Sequence, residues 1–224
     1  MAPKTNNPAR RILVVDDHPM MRNGLAQLID NEQDLKVGAE AGTAGQAIDA
    51  VARQRFDLAL LDISLPDRSG LDLLKDIRAL RPELPVLVVS MHDELVYAER
   101  VLRAGARGYI MKQAGGEKFL LAIRQVLAGQ IFVSDKMSAR ILDAFSGRLP
   151  DKSGSPVRQL SDREFEVFRL IGQGIGTRAI AEQLHLSVKT VEVHRANIKG
   201  KLGLATATEL VRQAVRWLDS QGQG

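Results

Sequence analysis

Two short, unbroken apolar runs, Leu58–Leu61 (LALL) and Val86–Val89 (VLVV), constrain the fold of this chain more than any other feature. A strand that is apolar at every position must be covered on both faces, which is the situation of a strand in a parallel sheet flanked by helices. Three more runs, Ile12–Val15, Leu35–Ala39 and Gly108–Met111, read as strands of the same series, and amphipathic segments of helical length separate all five. Strands alternating with helices imply βαβ units, and five of them make a doubly wound α/β domain with a parallel sheet. In that architecture ligands bind beyond the carboxyl ends of the strands, so the residues that follow each strand carry the chemical reading.

After Gln130 the pattern changes. Ser134–Phe145 reads as a further helix, and GRLPDKSGSP, residues 147–156, has the Gly, Pro, Ser and charged composition of a linker that cannot pack a core. From Leu160 onward no strand signal survives. Helix starts are marked by Ser161 with Glu164 (a capping box), by Thr177, by Ser187 and by Thr206 with Glu209, a second capping box. The expected organisation is an α/β domain over residues 10–130, a partly helical connection over 131–156, and an all-α domain of about four short helices over 157–220.

Composition agrees with two small domains: 224 residues, 45% hydrophobic and 26% charged, are enough for two cores. The absence of cysteine excludes disulfides, thiolate metal sites and cysteine nucleophiles, so any metal must be held by oxygen or histidine. No run approaches the ~18 to 20 apolar residues of a membrane helix, and Met1–Ala9 has no apolar signal core, so the expected setting is the cytosol with a short disordered head. The net charge of +4 is unevenly spread: residues 1–146 are balanced, whereas 157–224 carry an excess of Lys and Arg. That is the direction nucleic-acid binding requires.

The residues at the strand ends form a set. Asp16 and Asp17 follow the first strand, Asp62 ends the third, Ser90 the fourth and Lys112 the fifth, so all five converge on one rim. Three carboxylates brought together repel one another unless a hard divalent cation enters, and Mg2+ is the expected ion. With the Lys112 ammonium and the Ser90 hydroxyl, such a site can clamp a transferring phosphoryl group. One carboxylate must then be the nucleophile, and Asp62 on the central strand is better placed for that than Asp16 or Asp17, which suit the metal. Taken singly, an acidic pair after a strand is as often a solvated turn, a lone Lys a surface charge, and a Ser a helix cap. Their joint placement on four strand ends argues for the site.

The segments VVDDHP, LLDISLPDRSGLDLL, VVSMHDE and GARGYIMKQ together resemble the receiver domain of two-component response regulators over roughly residues 10–130. The resemblance implies Asp62 as phospho-acceptor, with Asp17, Asp62 and the Ser64 carbonyl as Mg2+ ligands and Asp16 helping through water. It implies that Ser90 and Lys112 contact the phosphoryl group, that Tyr109 is an aromatic switch, and that a sensor histidine kinase is the phosphodonor. Gln113 departs from the pattern, since many receivers have proline after the lysine. His18 is expected to help pack the first helix, without a catalytic role.

In the C-terminal part, Thr177–His185 and Ser187–Leu202 form two helices joined by a tight turn, with Gly203 suited to end the second. Ile180, Ala181 and Leu184 face inward on the first, and Val191, Ile198 and Leu202 on the second. Lys189, Glu192, Val193, Ala196 and Gly200 fall on the opposite side at helical spacing. Lys189, Arg195, Lys199 and Lys201 make the second helix basic; charge alone fits a solvated helix as well as one lying in a major groove. The segment LSDREFEVFRLIGQGIGTRAIAEQLHLSVKTVEVHRANIKGKLG resembles the LuxR-type DNA-binding domain over roughly 157–220, which together with a receiver indicates the NarL/FixJ family. The resemblance implies binding of double-stranded DNA, with a homodimer on it. Lys189, Glu192, Val193 and Ala196 are the implied base-facing residues, and Thr190, His194, Arg195 and Lys201 those for phosphates or support. The last helix, Ala207–Leu218, forms the dimer contact in this family, with core packing an equal alternative for Leu210, Val211 and Val215.

Two rival readings carry different chemistry. A haloacid dehalogenase-type phosphatase also combines Asp, Ser or Thr, Lys and Mg2+, but uses an acid two residues after its nucleophile. Here that position is Ser64, which cannot protonate a leaving group effectively. The other rival uses the helix-turn-helix for protein contacts or RNA, against which the basic second helix argues mildly.

Overall fold

A computed structural model describes residues 8–91, 94–145 and 156–222. The chain divides into two compact units, Met1–Ser138 and Ala139–Gly224. The expected disordered head falls largely, and the expected linker 147–156 almost entirely, outside the described residues.

The first unit contains β1 (Arg10–Val15), α1 (Pro19–Asp30), β2 (Leu35–Ala41), α2 (Ala44–Arg53), β3 (Leu58–Asp62), α3 (Gly70–Leu80), β4 (Val86–Ser90), α4 (Glu94–Arg103), β5 (Gly108–Met111) and α5 (Gly116–Leu127). The strands form one parallel sheet in the order β2-β1-β3-β4-β5. β3 and β4 are buried at every position, as their unbroken apolar runs require. One face packs Ile12, Val14, Leu58, Leu60, Leu87 and Val89 against α1 and α5. The alternate residues Leu13, Ala59, Leu61 and Val88 are buried on the other face, where α2, α3 and α4 lie against the strands. β2, β3 and β4 run slightly further than their apolar runs, because parallel pairing continues through Ala41, Asp62 and Ser90 to the rim. α6 (Asp135–Phe145) follows, and the division between the units falls within it.

The second unit opens with a 3-10 turn at Pro156–Gln159 and continues with α7 (Asp162–Gly172), α8 (Thr177–Gln183), α9 (Val188–Leu202) and α10 (Ala207–Gly222). Both capping boxes form. At α7 the Ser161 N–H donates to Glu164 Oε2 at 2.7 Å and the Glu164 N–H to Ser161 Oγ at 3.4 Å. At α10 Glu209 and Thr206 exchange the equivalent bonds, at 3.1 and 3.4 Å. Ser187 caps α9, whereas Thr177 is the first helical residue of α8 and Gly176 stands at the cap without a side-chain bond. Between α8 and α9 the chain turns through His185 at φ 53°, and Gly203 ends α9 at φ 65°. α7 carries the core: Phe165 and Phe168 lie against Trp217 of α10 with ring centroids 5.3 and 5.8 Å apart. Leu210 and Ala214 of α10 are fully buried, while Val211 and Val215 are exposed, which separates the alternatives left open for these residues. Among the described residues no helix is long and apolar enough to cross a membrane.

Candidate functional site

The carboxyl ends of β1, β3, β4 and β5 bring Asp16, Asp62, Ser90 and Lys112 to one rim. Asp16, Asp62 and Ser90 are each at most 1% exposed. Lys112 Nζ stands 2.7 Å from Asp16 Oδ2 and 2.7 Å from Asp62 Oδ2, so one ammonium serves two buried carboxylates. Parallel pairing sets this geometry, since the Lys112 N–H donates to the Ser90 carbonyl at 2.8 Å directly past the β4–β5 ladder. Burial pushes the Asp62 carboxyl up to about 6, against the opposing pull of Lys112. For Lys112 burial works in the lowering direction, but the charges of Asp62 and Asp16 outweigh it and hold the ammonium above its ordinary value.

Asp17 turns toward the same rim. Its Oδ1 is a buried oxygen without a hydrogen bond, and its close neighbour is His18 Nδ1 at 2.5 Å. Asp16, Asp17, His18 and Asp62 offer ligand atoms that all lie within 4.8 Å of one another, a donor set suited to a hard divalent cation. His18 therefore departs from the expectation that it packs α1. Pro19 begins the helix, leaving His18 at the N-cap with its side chain 67% exposed and turned toward the carboxylates.

Several supports had no clear signal in the sequence. Arg22 donates to the Asp16 carbonyl at 2.6 Å and pairs with Glu40 at 3.3 Å. The loop after Asp62 is held at both ends: the Ser64 N–H donates to Asp62 Oδ1 at 3.1 Å, and the Gly70 N–H to the Ile63 carbonyl at 2.8 Å. Between them Asp67 accepts the Ala44 and Gly45 N–H groups at the start of α2, both at 2.9 Å. Tyr109 lies on β5 and is fully buried.

In the second unit, α9 presents Lys189, Glu192, Val193 and Ala196 on an exposed stripe, which Gly200 continues and Asn197 flanks. Thr190 Oγ1 lies 2.7 Å from the capping hydroxyl of Ser187. Arg195 is largely covered, its side chain 16% exposed and 3.8 Å from Glu192. His194 is half-buried, and burial depresses the protonation of its ring. Lys201 reaches back to α7 and donates to Glu164 Oε2 at 2.6 Å, tying the end of α9 to the capping box.

Comparison with known proteins matches both units. Residues 12–124 match the family model of the response regulator receiver domain, and 158–214 that of the bacterial regulatory proteins of the luxR family. The oxygen regulatory protein NreC of Staphylococcus aureus (strain bovine RF122 / ET3-1) is 38% identical over 210 residues, covering 92% of this chain and 97% of that one. A two-component response regulator of the LuxR family from Aurantimonas sp. SI85-9A1 superposes with TM-score 0.57 at 30% identity, over 62% of this chain and 99% of its own. RcsB of Salmonella enterica serovar Typhimurium, solved on promoter rprA with the phosphomimetic BeF3−, shares the fold at TM-score 0.60 and 24% identity, over 91% of this chain and 97% of its own.

Proposed function

Because this chain belongs to the response regulators of the NarL/FixJ family, which join a receiver domain to a LuxR-type DNA-binding domain, we propose that Asp62 accepts a phosphoryl group from a sensor histidine kinase and that this modification controls binding of residues 157–220 to double-stranded DNA. The observation that carries the reading is Lys112 Nζ at 2.7 Å from both Asp16 and Asp62, with Asp17 on the same rim. A carboxylate held on the rim beside a fixed ammonium meets the main demand of phosphoryl transfer, positioned charge.

Asp17, Asp62 and the Ser64 carbonyl are the residues that would hold Mg2+, with Asp16 acting through water; the unsatisfied buried oxygen of Asp17 fits such an ion. When bound, the ion supplies positive charge opposite the transferring group. The chain's own part in the step is to deliver one Asp62 carboxylate oxygen to phosphorus. The new P–O bond forms as the bond from phosphorus to the donor, a kinase imidazole nitrogen or an acyl oxygen, breaks with its electron pair. Lys112 then shifts part of its contact from Asp62 to the phosphoryl oxygens, the Ser90 hydroxyl donates a hydrogen bond to another of them, and Tyr109 follows as the switch. The chain is the phosphorylated partner and regulates transcription in the cytosol; it does not turn over a substrate of its own.

On the DNA side α9 enters the major groove with Lys189, Glu192, Val193 and Ala196 toward bases. Thr190, His194, Arg195 and Lys201 supply phosphate contacts or support. A homodimer reads paired half-sites about one helical turn apart. The experiment is direct. Full-length protein should be labelled by a small acyl phosphate only with Mg2+, and Asp62→Asn should abolish labelling. Beryllofluoride should tighten binding to a selected operator ~10-fold or more, about 1.4 kcal/mol of coupling. Labelling that survives Asp62→Asn, or equal operator affinity with and without the mimic, would overturn the reading.

A further inference from the structure

After α5 the chain returns to the sheet before α6 begins. Phe132 forms a parallel bridge with Gly108: its N–H donates to the Arg107 carbonyl at 3.0 Å, and its carbonyl accepts from the Tyr109 N–H at 2.9 Å. β5 is shaped for this approach, since a Cβ on Gly108 would lie 2.8 Å from the Phe132 carbonyl oxygen and 3.1 Å from the Phe132 Cβ. The Phe132 ring joins the core between the sheet and α5, and Met137 is buried too. Just beyond the bridge the Ser134 N–H donates to Glu94 Oε1 at 2.7 Å, while Ser134 Oγ accepts the Met137 N–H at 3.2 Å as α6 starts. Glu94 lies in the first turn of α4 and is 8% exposed. A carboxylate so far from water depends on the bonds that satisfy it, and a hydrogen bond to a charged group is among the stronger ones.

We propose that Glu94 is a positioning residue that latches the first turn of α6 to the first turn of α4, so that the seating of α6 follows the state of β4, α4 and β5. The proposal rests on the phospho-acceptor reading above and adds the route by which the change leaves the first unit. Two short paths converge on the same few residues. Glu94, whose carboxylate holds the Ser134 amide, comes four positions after Ser90 in the sequence. From Tyr109 a single backbone hydrogen bond reaches Phe132. A shift of Ser90 toward a phosphoryl group, or of Tyr109 on β5, therefore acts directly on the start of α6. The division between the two units falls inside this helix, so the latch sits on the covalent path between them. A bond that exists in one state and is lost in the other supplies the differential interaction that coupling needs.

The test uses the full chain as wild type, Glu94→Gln and Glu94→Ala, each with and without Mg2+ and beryllofluoride. Occupancy at Asp62 is read from the 19F signal of the bound mimic, and amide exchange is followed across residues 131–138. In wild type the mimic should change exchange at Ser134 ~10-fold or more. Glu94→Ala should raise that exchange without the mimic and abolish its further response, together with most of the mimic's effect on DNA affinity. Glu94→Gln keeps an acceptor without the charge and should fall between the two; as the milder change it also carries the test if Glu94→Ala does not fold. All three proteins should reach full occupancy at saturating mimic, and the variants should differ from wild type in mimic affinity by the coupling they have lost. If wild type binds the mimic and Ser134 exchange does not move, or if both variants keep wild-type exchange and coupling, the latch is refuted while the phospho-acceptor reading stands. Failure of wild type to bind the mimic would overturn both.

Discussion

Gly70 stands directly against the backbone of Asp62: a Cβ at Gly70 would lie 2.3 Å from the Asp62 carbonyl oxygen. It would also meet the Ile63 Cα at 2.6 Å, and neither atom belongs to a side chain that can swing away. The direction in which Asp62 offers its carboxylate to Lys112 thus depends on a missing side chain at the start of α3.

Gly70→Ala should therefore disturb the site before it disturbs the rest of the sheet. The overpacking is expected to cost about 1–3 kcal/mol of stability. Asp62 labelling by an acyl phosphate should slow by ~10-fold or more in protein that is still folded, because a small misplacement of a reacting group is enough to do so. Circular dichroism and the labelling rate, taken on the same sample, check this; a folded variant with an unchanged rate would contradict it.

Asp67 makes a pH-dependent contribution. Burial tends to raise its pKa, but the N–H groups of Ala44 and Gly45 outweigh this and hold it below the ordinary aspartate value. A carboxylate depressed in the folded state stabilises fully above its unfolded pKa of about 3.9, and the benefit disappears as pH falls through the lower folded value. Asp67→Ala should cost roughly 1 kcal/mol near neutrality, the usual scale for losing a helix cap. Denaturant curves of the two proteins should converge in acid; a gap that persisted there would show that packing, not charge, is what Asp67 supplies.

Lys189 and Lys201 of α9 should separate by readout. Lys201 donates to Glu164 at 2.6 Å with its side chain 40% exposed, so solvent screening limits the pair. Lys201→Ala is expected to lower stability by about 0.5–1 kcal/mol and to couple with Glu164→Gln in a double-mutant cycle. Lys189→Ala should leave stability within about 0.5 kcal/mol. Facing a base, Lys189 should show as relaxed specificity at one operator position when replaced by Ala; contact with a phosphate would instead weaken binding to any duplex and reduce the salt slope by about 1. Reversed behaviour of the two variants would invert their roles.

His185 occupies the left-handed region at φ 53° in the turn between α8 and α9. That conformation costs a residue bearing a side chain about 1–2 kcal/mol. His185→Gly should hold or raise the melting temperature, whereas the β-branched His185→Val should lower it. Equal melting temperatures would mean that the turn relaxes out of this conformation in solution.

The rim residues were legible because each directly follows or ends a strand, and the strands announce themselves through unbroken apolar runs. What joins them was less so. Glu94 and Ser134, or Lys201 and Glu164, are far apart in sequence, and each reads alone as an ordinary surface residue; only the packing of helices makes them partners. His18 departs from the expected packing for a local reason. A residue before Pro19 sits at the N-cap, and the direction of a side chain there is set by its neighbours on the rim, not by helical periodicity. On α10, Val211 and Val215 share the same spacing as Leu210 and Ala214, so periodicity alone offered two faces. The rings of Phe165 and Phe168 against Trp217 determine which one turns inward.

A parallel sheet of this order ends in two edges, and the Phe132 bridge bears on one of them. The Tyr109 N–H and the Arg107 carbonyl, which would otherwise point outward from β5, are both taken up by Phe132. Unpaired edge groups are templates on which a strand from another copy can add. The same short segment that leads into α6 is thus also a guard against aggregation. Changes that unseat Phe132 should reveal themselves first as poor solubility at high concentration, before any loss of helix content.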